Sequence, residues 1–121
     1  MNNNLSTVLE YYKAINQKKP DLAAEKLANN IQLITPLANK QGKPAVIQAL
    51  KGFCSTMDSL SITTKLASED QVMLAYNITF PEPIGNLRAA GLLNLDNNLI
   101  TRIELFYDGQ SVLSAKDKIF S

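Results

Sequence analysis

The stretch Leu92–Gly109 reads LLNLDNNLITRIELFYDG, two apolar segments on either side of Asp96-Asn97-Asn98. Asp and Asn tolerate the left-handed backbone conformation that a tight hairpin turn requires. Each flanking segment has the length and the aliphatic and aromatic content of a strand. The stretch therefore predicts a β-hairpin, with strands at 86–95 and 99–108.

The second strand of this hairpin carries Glu104 among Ile103, Leu105, Phe106 and Tyr107, and the orientation of this carboxylate decides whether it can do chemistry. Strand alternation separates two rows, Leu99, Thr101, Ile103, Leu105 and Tyr107 on one face and Ile100, Arg102, Glu104, Phe106 and Asp108 on the other. The first row is the more apolar. Alternation by itself therefore predicts that Glu104 faces solvent.

The first half of the chain is helical in its apolar spacing. Apolar residues at i, i+3, i+4 and i+7 predict a helix at 5–18, and Pro20 suits the start of a second one. In this second helix Leu22, Ala23 and Leu27 would face inward, and Asn29-Asn30 would end it. We also predict a strand at 31–36, a loop at 38–43 and a third helix from Pro44.

After Asp58 the apolar period becomes two, which is typical of strands. Two predicted strands show this alternation through the rows Leu60, Ile62, Thr64, Leu66 and Val72, Leu74, Tyr76, Ile78, Phe80. Pro81 and Pro83 place a loop before the hairpin, and 111–121 would be a short C-terminal extension or a frayed last turn. The order predicts an α+β domain over 1–121, with helices on one face of a curved antiparallel sheet.

Composition excludes several classes of function. Lys and Arg number 12 against 11 acids, so a net charge of +1 gives no basic field for nucleic acid. The N-terminus has no signal-peptide pattern and no apolar run approaches the ~20 residues of a membrane span, so we expect a cytoplasmic protein without a membrane partner. Without histidine, and with Cys54 as the one cysteine, His-dependent nucleophilic catalysis and His/Cys zinc sites are excluded, and we expect no metal and no cofactor.

Three segments occur in an order that resembles the nuclear transport factor two-like superfamily, in particular its SnoaL-like members. They are LSTVLEYYKAIN (5–16), DLAAEKLANNIQLITPLANKQGKPAVIQAL (21–50) and the closing LLNLDNNLITRIELFYDG (92–109). The resemblance implies a cone, or cystatin-like α+β barrel, in which three N-terminal helices pack in a strongly curved, mixed and mainly antiparallel sheet. It also implies an open apolar pocket for a small ligand and a homodimer through the outer face of the sheet.

The chemistry of this superfamily varies, so the fold does not specify the function. Ketosteroid isomerases use a carboxylate base together with a Tyr and a protonated Asp that stabilise the enolate oxygen. The resemblance places that Tyr at Tyr12, but the base falls at Thr35, whose hydroxyl is no base near neutral pH, and the second acid falls near Gly91. Epoxide hydrolases of the superfamily use an Asp-Arg-Asp arrangement, which the spacing of Asp96, Arg88, Arg102 and Asp108 matches poorly.

SnoaL-type cyclases carry an acid on the last strand, which corresponds to Glu104, and a pocket histidine that this chain lacks. The resemblance turns the Glu104 and Phe106 row toward the cone, which is the reverse of what alternation predicts. In that orientation Glu104 and Tyr12 would form a catalytic pair for proton transfer to or from a small carbonyl compound. The pocket residues would be Thr35, Phe53, Gly91, Leu93, Leu95 and Phe106.

Two functions remain open from the sequence. The first is a cone that binds a small, mostly apolar molecule, with isomerase-like or cyclase-like proton transfer. The second is a non-catalytic dimerisation or partner-binding module with no substrate. An open cavity that converges on Glu104 would favour the first, and a cone filled by its own side chains would favour the second.

Overall fold

The computed structural model describes residues 3–112. From residue 113 onward, the predicted C-terminal extension at 111–121 lies outside the described residues. The helices of the described part of the chain are α1 (Asn4–Asn16), α2 (Pro20–Ala24), α3 (Lys43–Thr56) and α4 (Gly109–Val112). The strands are β1 (Leu27–Ile34), β2 (Asn39–Gln41), β3 (Ser59–Ala67), β4 (Gln71–Thr79), β5 (Asn86–Asp96) and β6 (Leu99–Tyr107).

The six strands form one sheet in the order β2-β1-β6-β5-β4-β3. The β1–β6 pair is parallel and every other pair is antiparallel, so the predicted α+β class with a mixed, mainly antiparallel sheet is confirmed. The sheet is open, with β2 and β3 at its edges, and it does not close into a barrel. α3 follows two strands, so the helices do not all precede the sheet.

The predicted hairpin is present and has a two-residue turn. Asp96 pairs with Leu99, and Asn97 and Asn98 between them have φ angles of 51° and 66°. Two successive residues at positive φ are typical of the type I′ turn, whose twist matches that of the flanking strands. Asparagine is one of the few residues that adopt this conformation at small cost.

Two β-bulges change which residues face the core. In β6 the register shifts between Asn94↔Arg102 and Leu95↔Ile100, which leaves one extra residue and turns Ile100 inward, fully buried. The prediction that Ile100 shares the outer row is therefore wrong. In β3 the register shifts between Ile62 and Thr64, and this turns the later residues of the predicted inner row outward. Leu66 is therefore 67% exposed, whereas Leu60 of the same predicted row is buried.

The border between α2 and β1 lies earlier than predicted. α2 ends at Ala24, Leu27 is the first residue of β1, and Asn29-Asn30 lie within that strand. The Ile100 amide donates to the Lys26 carbonyl at 2.8 Å, so pairing with β6 fixes the start of β1. Leu22 is 42% exposed instead of facing inward. The predicted 38–43 loop contains the three-residue strand β2.

The helices α1 and α3 pack against one face of the sheet, called here the inner face. The core between them is apolar; its fully buried side chains include Val8, Ile15, Val46, Leu74, Leu93 and Ile103. The opposite face, called the outer face, carries the exposed Met73 and Phe106. These two faces are the two candidate surfaces for function.

Candidate functional site

A cavity of about 70 Å³ lies between α1, α3 and the inner face of the sheet. Its lining is apolar or aromatic, and all four tyrosines of the chain line it. Most of the lining side chains are buried; the half-buried ones are Phe53, Ala89, Leu105 and Tyr107. These four partly exposed lining residues are called here the mouth of the cavity.

Two tyrosine hydroxyls meet at the wall of this cavity. Tyr12 of α1 and Tyr76 of β4 place their Oη atoms 3.2 Å apart, and both side chains are buried. Their ring centroids are 5.1 Å apart, and Tyr11 packs edge-on against Tyr12 at 5.0 Å. One hydroxyl proton makes the bond between them, which leaves the other proton of the pair available to a further acceptor.

Burial keeps these hydroxyls protonated. Desolvation is the main cause that raises the pKa of Tyr76 to about 12, and it raises the pKa of Tyr12 well above the ordinary value. For Tyr12, the neighbouring tyrosines and the hydrogen bond with Tyr76 raise the pKa further. For Tyr76, the same hydrogen bond partly offsets the rise in pKa. At neutral pH the pair is therefore a hydrogen-bond donor and not a base.

Among the residues that the structure describes, those that line the cavity include no acid, lysine or arginine. Within residues 3–112 no group of three or more His, Cys, Asp or Glu side chains is placed to hold a metal ion. No helix of that part of the chain combines the length and apolarity needed to span a membrane. The described lining of the cavity offers apolar contact and tyrosine hydroxyls as hydrogen-bond donors.

Three of the predicted site residues lie at this cavity. Tyr12 and Phe53 line it directly. Gly91 of β5 lies against the tyrosine pair, because a Cβ built on it would be 2.9 Å from the Tyr12 Oη and 3.3 Å from the Tyr76 Oη.

Three other predicted residues do not line the cavity. Leu93 and Leu95 face inward but belong to the packed core. Thr35 holds the turn after β1, because its Oγ1 accepts the Leu37 and Ala38 amides at 3.1 and 2.9 Å. Burial raises the pKa of Tyr107, and a hydrogen bond with Thr35 partly offsets that rise. Thr35 thus contacts the mouth through Tyr107.

The resemblance-based placement of Glu104 and Phe106 in the pocket is wrong. Ile103 and Leu105 line the cavity, so strand alternation turns the residues between and after them to the outer face. There Glu104 lies 3.4 Å from the Arg102 guanidinium, and Phe106 is 45% exposed. The orientation that alternation predicts is confirmed, and Glu104 does not meet Tyr12.

On the outer face, Phe106 borders a shallow hollow. Ala75 and Ala90 are directly paired across β4 and β5, and Ala90 pairs with Phe106 on β6. Other residues also border it, namely Thr63, Tyr76, Asn77, Arg88 and Ala89. The large apolar side chains of Met73 and Leu66 are also exposed on this face.

Sequence reasoning missed the role of Tyr76. Alternation placed it correctly in the inner row with Leu74 and Ile78, but treated it as core alone. A tyrosine in a buried row is a usable signal, because a buried phenol needs a hydrogen-bond partner. The identity of that partner depends on how α1 crosses β4, which the local pattern does not contain.

No family model matches this chain, and no curated protein matches it in sequence. Solved structures do match, among them NTF2-like (nuclear transport factor two-like) proteins, steroid isomerases and a protein described as a SnoaL-like polyketide cyclase. An NTF2-like protein of unknown function from Cytophaga hutchinsonii has a TM-score of 0.81 at 19% identity, over 93% of this chain and 96% of that one. A steroid delta-isomerase from Pseudomonas aeruginosa has a TM-score of 0.81 at 17% identity, over 97% and 88% of the two chains.

A de novo designed protein with a curved β-sheet matches as well, with a TM-score of 0.84 at 14% identity over 96% and 93% of the two chains. At such identities the likeness establishes the fold, and the resemblance noted in the sequence is confirmed at that level. A designed chain shares the architecture with an isomerase, so the architecture alone does not specify an activity.

Proposed function

We propose that the protein binds a small, uncharged and mostly apolar molecule in the cavity between α1, α3 and the inner face, without proton-transfer chemistry. The observation that carries this proposal is the buried Tyr12–Tyr76 hydroxyl pair at the wall of an otherwise apolar cavity. An apolar enclosure with a few fixed polar groups is the usual form of a small-molecule site. A charged ligand would lose its hydration there without gaining a counter-charge.

The volume of the cavity limits the ligand. About 70 Å³ is well below the roughly 300–1,000 Å³ of pockets that enclose drug-sized molecules. The cavity suits a small end group of the ligand, since a cavity that encloses a benzene ring has about 150 Å³. Any larger remainder of the ligand would pass through the mouth, between Phe53 and Tyr107.

Isomerase chemistry of the kind named for the Pseudomonas aeruginosa neighbour has less support. That chemistry needs a base and acids at the reacting carbonyl. Thr35 and Gly91 occupy the positions that the resemblance assigns to the base and the second acid, and Glu104 lies on the outer face with Arg102. The tyrosine pair alone can orient a carbonyl compound, but among residues 3–112 the cavity lining adds no acid, lysine or arginine that could act as a base.

A pair of matched variants tests ligand binding. Ala89 lies at the mouth, and the next residue, Ala90, faces the outer hollow. We expect cyclohexanone to raise the thermal midpoint of the wild type and of Ala90→Leu, because a ligand of the folded state stabilises it. Ala89→Leu should abolish the shift. Absence of a shift in the wild type, confirmed by calorimetric titration, would remove the proposal.

Assembly of two copies through the outer face is a second candidate, and the exposed Leu66, Met73 and Phe106 favour it. In a dimer with a two-fold axis, the same surface patch of each copy contacts the other copy. Phe106 of one copy could then enter the Ala75–Ala90 hollow of the other. Sedimentation equilibrium should report a dimer that Phe106→Lys dissociates and Leu22→Lys, an exposed change on α2, leaves intact. A wild-type monomer throughout the concentration range would exclude this function.

A further inference from the structure

Gly91 is at the centre of β5, where glycine is not needed for backbone conformation. It pairs with Leu74 of β4 on one side and with Leu105 of β6 on the other, in a regular antiparallel register. Its φ lies outside the left-handed region, unlike those of Gly42 and Gly85. A glycine inside a strand weakens it unless another group approaches the backbone closely. Here that group is the tyrosine pair.

The space over Gly91 is filled by the hydroxyls that define the site. A Cβ at this position would lie 2.9 Å from the Tyr12 Oη and 3.3 Å from the Tyr76 Oη. The Tyr12 ring cannot easily withdraw, because it is buried between the Tyr11 and Tyr76 rings, at 5.0 and 5.1 Å. The strand cannot withdraw either, since both of its edges are hydrogen-bonded.

We propose that Gly91 is a positioning residue that gives the cavity its preference for ligands with a hydrogen-bond acceptor. The missing side chain lets the Tyr12 and Tyr76 hydroxyls meet at 3.2 Å, so that one proton remains for the ligand. The ligand class is therefore a small neutral ketone, ether or similar acceptor, and not a plain hydrocarbon. This inference rests on the proposed function for its ligand but on the packing alone for the role of Gly91.

A stability cycle tests the packing without any ligand. Gly91→Ala should lower the urea midpoint of unfolding, because its methyl group would clash with the tyrosine hydroxyls. Without that clash, alanine would raise the midpoint, since it restricts the unfolded chain more than glycine does. In the Tyr12→Phe background the nearest atom is gone, so the same substitution should cost much less. Gly52→Ala, within α3, is the control and should raise the midpoint. Equal losses in the two backgrounds, or failure of both Gly91→Ala proteins to fold, would overturn the positioning role.

Ligand discrimination tests the recognition. Cyclohexanone and methylenecyclohexane differ only in C=O against C=CH₂, and calorimetric titration should show a preference of about three- to tenfold for the ketone. We expect Gly91→Ala to remove the preference while some binding of the hydrocarbon remains. Equal affinity in the wild type, or an unchanged ratio in Gly91→Ala, contradicts the inference. If neither compound binds, the proposed function fails and the stability cycle alone decides the role of Gly91.

Discussion

At the scale of single residues, the tyrosines carry most of what is specific to this molecule. Tyr12 and Tyr76 come from distant parts of the chain and supply the polar group of an apolar cavity. Their protonated state follows from burial, since an ionised phenolate would lie among apolar side chains without a counter-charge. The free energy of unfolding at high pH should therefore depend directly on the ionisation of these tyrosines.

Alkaline pH should destabilise the protein through these tyrosines. The pKa of Tyr76 is about 12 in the folded protein against 10.0 for an ordinary tyrosine, so its contribution is complete below pH 10 and is lost as pH rises through 12. Each such group reduces the unfolding free energy by up to about 1.4 kcal/mol per pH unit in that window. Urea unfolding between pH 8 and 12 should show a shallower decline in Tyr76→Phe. An identical slope in this variant would contradict the burial of an ionisable phenol.

Glu104 should be dispensable for ligand binding, in contrast to the catalytic role that the resemblance implies. Its contact with Arg102 is a partly exposed ion pair at 3.4 Å, and such pairs contribute about 0–1 kcal/mol. We expect Glu104→Gln to change the unfolding free energy by less than about 1 kcal/mol and to leave the cyclohexanone affinity unchanged. Arg102→Gln is the matched control. A large loss of ligand affinity in Glu104→Gln alone would reopen a functional role for this carboxylate.

At the scale of elements, periodicity predicted each major helix and strand, while pairing decided their ends. The α1 and α3 patterns and the β5–β6 turn are local, so the sequence contained them. The start of β1 is set by the Ile100 amide on the Lys26 carbonyl, a contact between residues far apart in the chain. The bulge that buries Ile100 also depends on pairing between strands, because it shifts the register of β6 against β5.

The β5–β6 turn should be sensitive to the backbone freedom of its second residue. Asn98 has φ 66°, and its Oδ1 accepts a 2.9 Å hydrogen bond from the Thr7 hydroxyl of α1. Asn98→Ala loses both features and should cost about 2 kcal/mol of unfolding free energy.

Two further variants separate the contributions to this turn. Asn98→Gly keeps the backbone conformation and loses only the side-chain contact, so it should cost about 1 kcal/mol or less. Thr7→Val removes the same hydrogen bond from the α1 side and should have a similar effect. Equal losses for Asn98→Ala and Asn98→Gly in urea unfolding would show that the left-handed conformation contributes nothing.

At the scale of the whole molecule, the fold could be predicted from the order of its segments, and the site could be predicted only in part. Tyr12, Phe53 and Gly91 lie at the cavity as expected. Glu104 lies on the outer face, as strand alternation predicts and contrary to what the resemblance implies, because a half-buried strand keeps alternate residues on opposite faces. The partnership of Tyr12 with Tyr76 required the packing of α1 on the sheet, which belongs to no local pattern.

The cavity is a property of the assembled layers, so enlarging it should create a measurable ligand site. Leu50 of α3 is buried and lines the cavity, and Leu50→Ala should cost about 2–5 kcal/mol while adding apolar volume. Leu27→Ala deletes the same atoms from a buried residue of β1 that does not line it, and should cost a similar amount. Toluene should restore part of the lost thermal midpoint in Leu50→Ala and little in Leu27→Ala, because only the first variant offers it a connected cavity. Equal recovery in both variants would mean that the ligand does not enter between α1, α3 and the inner face, and the proposed binding site would have to be abandoned.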